Sequence, residues 1–80
     1  MVQLLNITFD GKNISCDYIP ENSNKIGKVT VDAVTREVTN IEYSEYKFSK
    51  KMYVAHVRAK LSEILDIGQS TPNEEFAIWY

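Results

Sequence analysis

Eighty residues with 44% hydrophobic and 25% charged side chains are the composition of one small globular domain, outside the disordered class. A chain of this size builds a thin core, and small domains often gain stability from a disulfide, a metal or a partner subunit. Cys16 is the only cysteine and His56 the only histidine, so an intrachain disulfide is excluded and no zinc-ligand spacing exists; no metal and no cofactor is expected. The net charge of −2 points to no class of partner.

The start of the chain, Met1-Val2-Gln3-Leu4-Leu5-Asn6, carries no basic region and too short an apolar run for a signal peptide. No stretch approaches the roughly 20 apolar residues of a membrane span. A cytoplasmic location without membrane contact is the resulting expectation. The sequons Asn6-Ile7-Thr8 and Asn13-Ile14-Ser15 then read as accidental.

Leu5, Ile7 and Phe9 alternate with polar neighbours, which predicts a half-buried strand. Asp10-Gly11 supplies a turn, and Ile14, Cys16 and Tyr18 resume the alternation, so the two runs form a hairpin ending at Pro20. Val29, Val31 and Ala33 mark a third strand. A turn over 32–37 leads to a fourth strand carrying Val38, Ile41 and Tyr43. The parity slips between Val38 and Ile41, so either Val38 belongs to the turn or a bulge lies nearby.

Beyond Tyr46 the period changes. Val54, Val57, Leu61, Ile64 and Leu65 follow helical spacing, with Ser49 as N-cap and Gly68 past the C-terminus, predicting a helix over about 50–67. Thr71-Pro72-Asn73-Glu74 has the pattern of a capping box for a single turn. Phe76 to Tyr80 is β-prone and predicts an edge strand. The expected fold is α+β, with the order ββββ-α-β: an antiparallel meander of four to five strands, packed on one face by one helix.

Catalytic groupings are scarce. A Cys16–His56 dyad would need contact between the two, yet alternation points Cys16 into the core and places His56 at the border of the helix stripe. Glu42, Glu45, Glu74 and Glu75 converge on no point, and Gly11, Gly27 and Gly68 are scattered rather than gathered into a phosphate loop. No catalytic residue is assigned, and an enzyme is not expected.

Two features point to binding. Lys47, Lys50, Lys51, Arg58 and Lys60 fall in one stretch without an acid among them. Lys50 and Lys51 occupy the first helical turn and Asp66 the last, both against the helix dipole. Lys47, Lys50 and Lys51 are therefore candidate anion-binding residues, with Tyr43, Tyr46 and Tyr53 near enough to stack on bases. The acidic net charge does not favour a nucleic-acid partner. The second feature is Trp79, which in an edge strand shares one side with Ala77 on the uncovered face of the sheet; the alternative is a chain end that bends and buries Trp79 against the helix. Ala77, Trp79 and Tyr80 are the candidate interface of a homo-oligomer, most simply a homodimer, or of a complex with another protein. The leading expectation is a non-enzymatic module acting through protein contacts, and the alternative is nucleic-acid or anion binding at the basic end of the helix.

Overall fold

The computed structural model describes residues 1–68 and, as backbone, the strand 74–77. Strands β1 (Val2–Phe9), β2 (Asn13–Pro20), β3 (Gly27–Asp32) and β4 (Val38–Glu42) form an antiparallel meander. Helix α1 (Lys50–Ile67) packs on one face, and β5 (Glu74–Ala77) pairs antiparallel with β1. The strand order is β4-β3-β2-β1-β5, so the chain leaves the sheet at one edge, crosses it through α1 and rejoins at the other. Among the described residues no helix is long and apolar enough to cross a membrane.

The turns follow from their residues. Gly11 takes φ 94°, and the Asp10 carboxylate accepts from the amides of Lys12 and Asn13, closing the β1–β2 turn. Asp32 repeats the device at the β3–β4 turn, accepting from the amides of Val34 and Thr35. These backbone donors hold both carboxyls below their ordinary range.

The helix covers the inner face of the sheet. Val2, Leu4, Ile7, Ile14, Cys16, Tyr18, Val29 and Val31 meet Tyr53, Val54, Val57, Leu61 and Ile64 in one core, with Val38, Ile41, Tyr46 and Leu65 at its margin. One expectation is corrected here. Leu5, Ile7 and Phe9 do not share the inner face: Val2 and Leu4 point inward, and Ile7 resumes the inward side. Asn6 sits at φ 52° where the β1–β2 register shifts between Leu5 and Thr8. A bulge at this residue, which tolerates left-handed backbone, reverses the parity, and Leu5 becomes outward and half-buried. Phe9 lies at the end of the strand and is 47% exposed.

The parity slip in β4 is also a bulge. Val38 pairs with Val31 and Ile41 with Val29, and the register shifts between Thr30 and Val31, so both aliphatic side chains reach the core margin. Ala33 lies past β3 in the turn and Tyr43 past β4. Glu74, read as the close of a capping box, belongs to β5 instead; the preceding 71–73 lie outside the described residues.

Candidate functional site

Both ends of α1 are charged against its dipole, and each end is handled differently. At the C-terminal end Gly68 takes φ 72° and stops the helix. Arg36, held at φ 65° in the β3–β4 turn, reaches across to this end. Its guanidinium donates to the carbonyl of Ser62 at 2.9 Å and pairs with Asp66 at 3.0 Å, while its Nε donates to Ala33 O in its own turn. A cation thus stands at the C-terminus of the helix, although the helix sequence has none in its last turn.

The N-terminal end is built from the β2–β3 loop and the segment joining β4 to α1. Ser44, buried, ties them together: its amide donates to the Tyr18 hydroxyl at 3.0 Å, and its own hydroxyl donates to Lys25 O. Its Oγ also accepts from the amide of Tyr46, and its carbonyl accepts from Lys50 Nζ at 2.9 Å. Gly27 permits this close approach, because a Cβ there would stand 2.4 Å from the Tyr18 ring and 2.6 Å from Ser44 N. Burial raises the Tyr18 phenol above its ordinary pKa.

Ser49 occupies the N-cap position at φ 53° and makes no side-chain cap, which corrects the capping role expected of it. In its place Tyr53 fixes the first turns. Its ring meets Tyr46 edge-on at 5.6 Å, and Tyr46 in turn meets Phe48 edge-on at 5.8 Å. Burial pushes the Tyr53 phenol up to about 12, with further upward contributions from the Glu21 carboxylate and from Tyr46. Of the three tyrosines expected to be available for stacking, Tyr53 is therefore buried, Tyr46 is half-buried and Tyr43 is 46% exposed.

Outside this packed layer lies a mainly apolar depression of about 290 Å³, lined by Ser23, Lys25, Glu45, Tyr46, Lys47 and Phe48. Phe48 is 66% exposed, and Ile26, next to Lys25 in the chain, is 61% exposed. Of the candidate anion-binding lysines, Lys47 lines the depression, Lys50 turns back to Ser44 O, and Lys51 is exposed on the first helical turn. The structure does not gather all three at one point. Of the candidate interface, Ala77 lies in edge strand β5, in register with Val2, and Trp79 and Tyr80 lie outside the described residues.

The sequence reading missed Phe48 and Lys25. An aromatic residue between two lysine-bearing positions, outside the helical stripe, was the available signal for Phe48. Nothing local singles out Lys25, which reaches the site through the Ser44 hydroxyl bonded to its carbonyl.

Cys16 is buried among aliphatic neighbours, and burial, assisted by Asp17, pushes its thiol up to about 12. A thiol held protonated in this way is a poor nucleophile at neutral pH. His56 is half-buried on α1. The outer face of the sheet is polar: Asn6 donates to Asp17, Thr8 and Ser15 share a hydrogen bond, and Lys28 stands 3.9 Å from Asp17. Among the described residues no group of three or more histidine, cysteine or acidic side chains is arranged to hold a metal ion. No protein-family model, curated protein or solved structure matches this chain.

Proposed function

We propose that this chain is a non-enzymatic binding module that acts through protein contacts, and that the loop end beside the helix N-terminus is its contact surface. One observation carries the reading: Phe48, Ile26 and Tyr43 are each exposed in the loop segments that meet at this end, whose backbone is locked from beneath by Ser44, Tyr18 and Gly27. Exposed aromatic side chains on a rigid support are the usual anchors of interfaces, because little ordering cost remains at binding. The single buried thiol fits a reducing, cytoplasmic setting.

The test is site-specific photo-crosslinking in the cells that make the protein. A benzophenone side chain replaces Phe48 in one variant and Thr30, on the polar outer face, in another. A discrete protein adduct from position 48 and none from position 30 is the expected result. No adduct at 48, or the same adducts from both, overturns the assignment.

Self-association is a second reading, favoured by the place of Ala77 in an edge strand that is paired on one side only. Such an edge can pair with a copy of itself. Light scattering across protein concentration tests it. A dimer that Trp79→Ala dissociates supports the reading; a monomer at every concentration removes it.

A further inference from the structure

We infer that the occupant of the loop-end depression is an acidic segment of another protein carrying an aromatic or aliphatic anchor side chain; this rests on the reading of that end as the contact surface. The first argument is the distribution of cation partners. Elsewhere on the chain Lys28 pairs with Asp17, Arg36 with Asp66 and Lys60 with Glu63, while Arg58 donates to Arg36 O and Lys12 interacts with the turn carboxylates of Asp10 and Asp32 without forming an ion pair. Lys25, Lys47 and Lys51 have no carboxylate partner among the described residues, and Lys25 and Lys47 flank the apolar floor. Lys50 is turned back to Ser44 O and Lys51 lies on the first helical turn, so the cations of the depression itself are Lys25 and Lys47. The free amides at the start of α1 add positive potential, and Glu45 is the one acid in the lining. A mainly apolar seat flanked by two lysines against a single acid is complementary to an apolar side chain flanked by carboxylates.

The same charges discriminate between occupants. A two-fold contact between copies of this end would bring together two surfaces that each carry two lysines against one acid, Glu45, and this excess of like charge disfavours the pairing. Single-stranded nucleic acid would be drawn to the lysines, but it also needs open aromatic faces. Here Tyr46 is held edge-on between Phe48 and Tyr53, and the lining between the lysines is apolar.

The experiment is fluorescence anisotropy on the full chain with a short fluorescein-labelled peptide in which aspartates flank a leucine–phenylalanine pair. Its comparators are the sibling with lysines replacing the aspartates, an all-aspartate peptide without the anchor pair, and labelled oligodeoxythymidylate. Binding of the acidic anchored peptide is expected, weakening as salt rises. Phe48→Ala and, separately, Lys25→Glu with Lys47→Glu should each reduce its affinity by about tenfold or more. All three positions are exposed, and circular dichroism confirms that each variant keeps its fold.

Equal binding of the lysine sibling overturns the acidic assignment, and equal binding of the anchorless peptide overturns the anchor. Preference for oligodeoxythymidylate replaces the protein partner with a nucleic acid. Failure of every peptide while position 48 still crosslinks overturns the partner chemistry and leaves the contact surface standing. Loss of the crosslink as well removes the surface itself. A dimer dissociated by Phe48→Glu assigns the seat to a second copy and overturns the inference.

Discussion

The two ends of α1 begin with the same electrostatic defect and resolve it differently. Asp66 in the last turn is answered by Arg36, which comes from a distant turn and also takes up a helix carbonyl. Lys50 and Lys51 in the first turn meet no acid there, and Ser49 supplies no cap. One end is closed by contacts within the chain; the other presents a packed aromatic layer with exposed lysines and Phe48 above it. Charge placed against a helix dipole is therefore not by itself evidence of a binding site, because a tertiary contact can neutralise it. It becomes informative where the folded chain leaves it unanswered.

The largest expected effect tests whether the open end is rigid. Gly27→Ala forces a methyl group against the buried Tyr18 ring and the Ser44 amide, contacts too short for any real Cβ. A loss of about 2–3 kcal/mol in urea denaturation is expected, typical of an overpacked interior. A near-neutral result would mean that the support beneath Phe48 yields easily, and the contrast between the ends would weaken.

At the closed end, Arg36→Ala removes the bonds to Ser62 O and Ala33 O and the pairing with Asp66. Partial exposure of the guanidinium limits the cost to about 1–2 kcal/mol. Arg36→Gly should cost less, by about 1 kcal/mol, because glycine relieves the φ of 65° while losing the same contacts. Equal losses for both variants would show that the backbone at this turn carries no strain.

The smallest effect is confined to alkaline solution. A tyrosine whose folded pKa is raised to about 12 favours the folded state fully while the unfolded phenol, near 10, is still protonated. That contribution declines as pH rises from about 10 towards 12. Stability measured from pH 9 to 11 should fall with a slope that Tyr53→Phe flattens. An unchanged slope would assign the alkaline loss to another group, Tyr18 being the next with a raised phenol.

How far the fold was legible depended on how local its causes were. The helix bounds, the turn chemistry of Asp10-Gly11 and the inward Cys16 follow from spacing and from residues that act on their own backbone. The reversal of faces in β1 was not legible, because Asn6 is compatible with either a regular strand or a bulge. Pairing with β2 and the demand that Val2 and Leu4 reach the core decided between them. In β4 the sequence already showed the broken parity, and only the register against β3 resolved it as a bulge.

The candidate site divides in the same way. The lysine cluster and its placement at the start of a helix are properties of the sequence alone, as are the fold class and the amphipathic stripe that orients α1. Tertiary structure decided which charges found partners, that Tyr53 is buried and Phe48 exposed, and that Lys25 joins the seat from a loop nineteen positions away from Ser44. Periodicity fixes which side of an element faces the core, because burial acts on each residue in turn. Which loops meet beyond the ends of those elements depends on strand order and on hydrogen bonds between segments far apart in the chain, and no local pattern encodes that.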